Sequence, residues 1–203
     1  MSKTKTCKCG TIYEQYTPLQ NKCTKCLIAK QKKIEVALWN TEKGKIKENL
    51  KTLSEWKDDL QVEINFIVRL IDNGQPCIAT EATMGKRNAG HYISRGSNDT
   101  IRFHLHNIHI QSEHSNKHLH GDTLRYREGI KKVYGDEYMD YMDSLQSIKP
   151  INLSIAEIKE FIPKAKMFKN WLMKEDKIYS ADERLKLRTS INNSIGIYKS
   201  TNL

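Results

Sequence analysis

No run of about 18 apolar residues occurs in the chain, so a membrane-spanning helix is not expected. The N-terminus, MSKTKTCKCG, lacks the apolar stretch of a secretory signal, and an intracellular protein follows as the expectation. Internal repeats are absent, as is an aromatic platform of the kind that stacks single-stranded RNA. Arginine is missing from the first 51 residues, which hold twelve lysines against four glutamates, hence +8 of the chain's +10. Such a block suits a polyanion, because phosphate contacts are electrostatic and release counterions. It equally suits a solvated lysine-rich helix. The 203 residues, 38% of them apolar, are enough for one compact domain plus a small accessory module.

Four of the five cysteines fall at Cys7, Cys9, Cys23 and Cys26; the fifth is Cys77. Two Cys pairs on tight turns can converge on one tetrahedral Zn2+. Residues 1–26 carry too few apolar groups to fold alone, so zinc would drive their folding. The C-x-x-C half is the stronger signal, because the C-x-C half makes a tighter knuckle.

Residues 27–50 read as a basic helix interrupted near Gly44. Residues 52–72 read as an amphipathic helix, with Thr52 and Glu55 as a capping box. Its apolar positions are Leu53, Trp56, Leu60, Ile64, Ile67 and Ile71, and Asn73-Gly74 stops it. Short β-like runs at Ala89–Ser94 and Ile101–Leu105, then a helix start near Ser115, outline a hairpin leading into a helix. Residues 122–146 read as two helices broken at Gly135, with Leu124, Ile130, Val133, Tyr138, Met142 and Leu145 inward. A second capping box, Ser154 and Glu157, opens a helix over 154–175 that Pro163 would kink. Residues 189–203, rich in Ser and Asn, read as a loose tail.

All seven histidines lie between positions 91 and 120. Histidine is both a common base and a common metal ligand, so the cluster marks a chemical centre. Asn107 follows His91 by sixteen residues, Asn116 comes nine later and His120 four after that. A ββα-metal (HNH) nuclease needs this order: a histidine on the first strand as base, an asparagine bracing its loop, and ligands on the next helix. Asn116 and His120, at i and i+4, would share one helix face and hold a divalent ion, Mg2+ or Mn2+. His118 points elsewhere on that helix and is the weaker ligand candidate. His104, His106 and His109 read as exposed strand and loop residues, and His114 as a helix start.

The chain resembles the phage NinG/Rap recombination proteins from about residue 6 to about residue 172. The N-terminal knuckle ending KCTKC and the stretch SEWKDDLQVEINFIVRLIDNGQPCI carry part of the likeness. The blocks AGHYISRGSNDTIRFHLHNIHIQ and SNKHLHGDTLRYREGI carry the sharpest part. The resemblance implies a phage- or prophage-encoded nuclease acting on branched DNA, such as Holliday junctions and D-loops, in the host cytoplasm. By residue match it places His91 as base, Asn107 as the central asparagine, and Asn116 and His118 at helix metal positions. The family's second zinc site, two C-x-x-C pairs flanking the hairpin, reads here as Cys77-Ile78-Ala79-Thr80 and Ser112-Glu113-His114-Ser115. Three of four thiols are gone, which implies that this zinc is lost or weak and that Cys77 is a small buried residue. Gly90 stands before the base, where many such nucleases carry an Asp or His ligand; His120 or Asp122 would compensate.

The expected fold is thus α+β: a zinc knuckle (1–26), a basic helical segment (27–75), a ββα-metal core (76–146), C-terminal helices (147–188) and a flexible tail (189–203). DNA phosphates would meet Lys30, Lys32, Lys33, Lys45, Lys47, Arg87, Arg95, Arg102, Lys117, Arg125 and Arg127. Resolving a junction takes two symmetric cuts, which makes a homodimer the mechanistic expectation. The competing expectation is a non-catalytic junction-binding accessory protein with a degenerate site.

Overall fold

The computed structural model describes residues 3–119 and 121–198. The chain divides between Lys51 and Thr52 into two compact units, each described here by itself. This boundary falls inside the expected 27–75 segment, whose two helices therefore belong to different units.

The first unit pairs β1 (Lys3–Thr6) antiparallel with β2 (Ile12–Gln15), Thr6 opposite Ile12. The connection turns at Gly10, whose φ of 85° favours glycine. Helix α1 (Thr24–Asn49) follows, and none of its residues is buried. It runs unbroken through Gly44, against expectation. A glycine costs a helix only about 1 kcal/mol relative to alanine. The good helix formers around it, with Lys45 reaching Glu42, keep the ladder intact.

The second unit begins with α2 (Leu53–Ile71), closed at its start by the Thr52/Glu55 capping box. Strands β3 (Arg87–His91) and β4 (Ile108–Ser112) form an antiparallel pair, with Gly90 opposite His109 and His91 opposite Ile108. Helices α3 (Thr123–Tyr134), α4 (Asp136–Ser144), α5 (Ile155–Glu175) and α6 (Ala181–Ile195) complete it. The main core joins Leu60, Ile64 and Ile67 of α2, Ile108 of β4, Ile158 and Ala165 of α5, and Ile191 and Ile195 of α6. A smaller cluster packs Cys77 and Ile78 under Tyr126, Ile130, Met139 and Met142. The segments expected over 76–146 and 147–188 thus share one unit. The architecture is mixed: helices with one small antiparallel sheet in each unit. Among the described residues, no helix is long and apolar enough to cross a membrane.

Several expectations need correction. Ile101–Leu105 is no strand: 3-10 turns occupy Asp99–Ile101 and Leu105–Asn107, and the second strand starts at Ile108. Ile101, Phe103 and Leu105 are apolar at alternate positions, which imitates a strand, but the intervening Arg102 and His104 are buried too and the Asn98 side chain caps a turn there instead. No regular helix starts near Ser115. A π-helical turn spans His114–His118, and the chain then passes through positive φ at Gly121 and Asp122 before α3 begins at Thr123. Leu53, Leu124 and Val133 are exposed rather than inward. The expected loose tail is helical from its start through Ile195, and Ile191, Ile195 and Ile197 are buried. Pro163 lies inside α5, which continues past it to Glu175.

Candidate functional site

At the N-terminal knuckle, Cys7 and Cys9 flank the tight β1–β2 turn, which the Gly10 N–H closes on the Cys7 carbonyl. Cys23 is the N-cap of α1 and Cys26 sits in its first turn, where the helix dipole favours thiolates. All four sulfurs lie within 4.8 Å of one another. Cys7 and Cys26 are 3.7 Å apart, Cys9 and Cys23 3.6 Å. A tetrahedral zinc with bonds of about 2.3 Å holds its sulfurs about 3.8 Å apart, so the four cysteines could bind a zinc-type ion. Hydrogen bonding with Thr11 draws the Cys9 thiol down to about 6, while the crowding of sulfurs, Cys9 foremost, pushes Cys26 up to about 12.

The second candidate lies in the larger unit. His91 ends β3 and lines a polar cavity of about 300 Å3 with Asn116, Gln61, Asn65, Ser94, Arg95 and Gly121. Its Nε2 lies 2.8 Å from the Arg102 carbonyl. A carbonyl only accepts, so Nε2 carries the proton and Nδ1 keeps its lone pair. Burial holds this imidazole down to about 4, the charges of Arg95 and Arg102 adding to it against the Arg102 hydrogen bond. His91 is therefore neutral at pH 7 and able to accept a proton.

Asn107, fully buried, ties the loop between the strands to itself. Its Oδ1 accepts from the Ile93 N–H at 2.9 Å, and its Nδ2 donates to the carbonyls of Ile93 and Ile101 at 3.0 and 3.4 Å. The Tyr92 N–H donates to the Asn107 carbonyl. These bonds hold the chain on both sides of the Arg102 carbonyl that orients His91. Asn116 sits in the π-helical turn, facing Gly90: a Cβ built on Gly90 would come within 3.0 Å of its Oδ1. His91 and Asn116 thus meet in one pocket. His120 lies outside the described residues, as does the side chain of His118. Asn116 lies in a π-helical turn rather than in regular helix, and the face it was expected to share with His120 falls outside the described residues.

The other histidines differ from expectation. His104, His106 and His109 are buried. His106 is held between the Tyr138 hydroxyl at 2.8 Å and the Thr189 hydroxyl at 3.1 Å. His109 lies 3.1 Å from the Tyr126 hydroxyl, and the His104 ring packs edge-on against Tyr198. Burial lowers His104 to about 4 and drives His106 and His109 well below their ordinary value. They are core residues wired to tyrosines, too far inside to meet phosphate.

The expected phosphate contacts also divide. Lys30 and Lys33 border the cysteine knuckle, and Lys32, Lys45 and Lys47 are exposed along α1. Arg95 stands at the His91 pocket with its side chain half exposed, 3.6 Å from Asp58. Arg102 is buried and bound to Gln61, Asp58 and Asp99, so it braces the fold rather than meeting DNA. Arg127 bonds Asp143 and Tyr92, Arg125 pairs with Asp122, and Lys117 with Glu113. Arg87 donates to the Ala82 carbonyl.

Sequence reasoning missed the ion pair that organises this region. Asp72, the C-cap of α2, is buried; both its oxygens lie 2.8 Å from Arg188 Nη2, and Oδ2 accepts the Ile110 N–H of β4. The partners stand 116 residues apart, and Arg188 belongs to a helix running into the expected tail. No local signal connects them. Near Cys77, burial pushes the thiol up, but the polar groups of Thr80 and Ser112 beside it hold it below its ordinary value overall. The Ser112 hydroxyl also accepts the Ser115 N–H, so side-chain oxygens and amides close the loops where the resemblance places a second zinc.

Comparison with known proteins bears on this arrangement. The family model described as Bacteriophage Lambda NinG protein matches residues 1–175. The chain belongs to the NinG family. NinG proteins similar to it include those of Enterobacteria phage H19B, 33% identical over 96 residues, and Escherichia phage lambda, 32% identical over 96 residues. The first match covers 47% of this chain and 48% of the relative, the second 47% of each. The chain thus spans about half the length of the curated NinG relatives it matches. No solved structure matches.

Proposed function

We propose that this NinG-family protein is a ββα-metal (HNH-type) endonuclease that cuts branched DNA recombination intermediates, Holliday junctions and D-loops among them. The observation that supports this reading most is the meeting of a neutral His91, whose Nδ1 keeps its lone pair, with Asn116 across one polar cavity. His91 Nδ1 takes a proton from a water molecule as the water oxygen attacks phosphorus. The bond from phosphorus to the 3′ oxygen then breaks, and the 3′ oxygen leaves with the electron pair. Positioned base catalysis of this kind contributes roughly 10²–10⁴-fold. Asn116 would hold a Mg2+ or Mn2+ ion, which supplies charge stabilisation to the phosphate and the departing oxygen. Asn107 keeps His91 oriented, and Arg95 and the α1 lysines offer charge to the backbone.

The test is incubation of the purified protein with a labelled four-way junction, a nicked duplex and single strands, with and without Mg2+. Metal-dependent cutting of the junction, lost in His91→Ala, is the expected result. Cutting that survives His91→Ala rejects His91 as the base. A second reading, a non-catalytic junction binder, draws on Gly90, which brings no ligand to the pocket. It predicts salt-sensitive junction binding with no cleavage.

A further inference from the structure

We propose that Gln111 supplies an oxygen ligand, beside Asn116, to a divalent ion held over Gly90, next to His91; this rests on the nuclease reading above. Gln111 lies on β4 and is fully buried. Its Nε2 donates to the Gly121 carbonyl at 2.7 Å and to the Ser115 hydroxyl at 3.2 Å. The Gly121 carbonyl cannot donate, so it fixes which end of the amide is nitrogen. Oε1 must then face the other way, and it is buried there without a partner. A buried carbonyl oxygen left unmatched is costly, and such an orphan calls for an explanation.

What it faces is Gly90. A Cβ built on Gly90 would overlap Gln111 Oε1 and approach Asn116 Oδ1 to 3.0 Å. Two carboxamide oxygens therefore converge over the bare Cα of the residue preceding His91. Glycine is required there because the Gln111 amide fills the space a side chain would take. Neutral oxygens of this type are hard donors, suited to Mg2+ or Mn2+ rather than to zinc. A purely propping role for Gln111 accounts for Nε2 and leaves Oε1 unexplained. An ion bound by Asn116 satisfies it. The ligand absent from position 90 is thus provided across the hairpin by the neighbouring strand.

The full-length, zinc-loaded protein is titrated with Mn2+, free Mn2+ being read by electron paramagnetic resonance. Wild type should bind an ion that Asn116→Ala loses. Gln111→Met, which keeps the bulk, and Gln111→Ala should each weaken it by about tenfold or more. The double variant Gly90→Asp/Gln111→Ala should recover most of the lost affinity. Its carboxylate enters the vacated space but restores neither the Gly121 nor the Ser115 hydrogen bond, so a structural role alone would not produce the recovery. Unchanged Mn2+ affinity in either folded Gln111 variant, or no recovery in the double variant, overturns the ligand role and leaves the nuclease reading standing. A wild type that binds no more Mn2+ than Asn116→Ala overturns both.

Discussion

Acidification should destabilise the larger unit well above the pH at which carboxylates titrate. His104, His106 and His109 are buried, and burial lowers all three, His104 from 6.5 to about 4. In the unfolded chain each takes up a proton near 6.5, whereas the folded chain resists doing so. Stability is therefore complete above pH 6.5 and is lost as pH falls from there toward the folded values. At pH 5.5 each such histidine costs about 1.4 kcal/mol, and the three together cost about 4 kcal/mol. Against a typical stability of about 5–15 kcal/mol this is a large fraction. Urea denaturation at constant ionic strength, followed by the fluorescence of buried Trp56, should show the midpoint falling steeply between pH 7 and 5.5. Replacing His104 by Phe, which keeps a ring against Tyr198, should reduce the slope by about one proton. A stability constant to within about 1 kcal/mol across that window would refute the buried-neutral assignment.

Two further outcomes test the scaffold. One zinc per chain should be found by metal analysis, and chelation should open residues 3–23 to proteolysis while the unit from Thr52 onward stays resistant; a metal-free protein with a protected knuckle would contradict this. Arg188→Ala removes the Nη2 that both Asp72 oxygens share and leaves Arg184, 3.7 Å away, as the remaining cation; it should cost about 3 kcal/mol in urea denaturation, a loss below about 1 kcal/mol counting against the pair as an anchor.

Local chemistry was legible in the sequence, and distant pairing was not. The capping boxes at Thr52 and Ser154 form as their spacing predicts, because both partners lie within one turn. The break at Gly135 between α3 and α4 is there for the same reason. The four thiols converge because each pair is set by its own tight turn. Failures begin where burial decides. Ser and Asn in α6 suggested a tail, yet Asn192 caps the Leu105 N–H and Thr189 holds His106, contacts that span more than 80 residues. The polarity that reads as solvent exposure is there the polarity of a satisfied interior.

The histidine cluster divides along the same line. Seven imidazoles within thirty positions suggested one chemical centre, but the hairpin separates them by face. At neighbouring positions in the pairing, His91 turns to the polar pocket, whereas His109 is buried against Tyr126. Side-chain alternation along a strand is enough to put one imidazole into the polar cavity and the other into the core. The regular helix expected from Ser115 gives way to a π-helical turn at His114–His118 and two positive-φ residues, Gly121 and Asp122. That irregular turn brings Asn116 over Gly90 and lets Gln111 reach the Gly121 carbonyl. A regular helix from Ser115 would lack the positive-φ Gly121 that receives the Gln111 amide, and Oε1 would have no reason to face Gly90. The feature that defeated the periodicity argument is thus the one on which the proposed metal site depends.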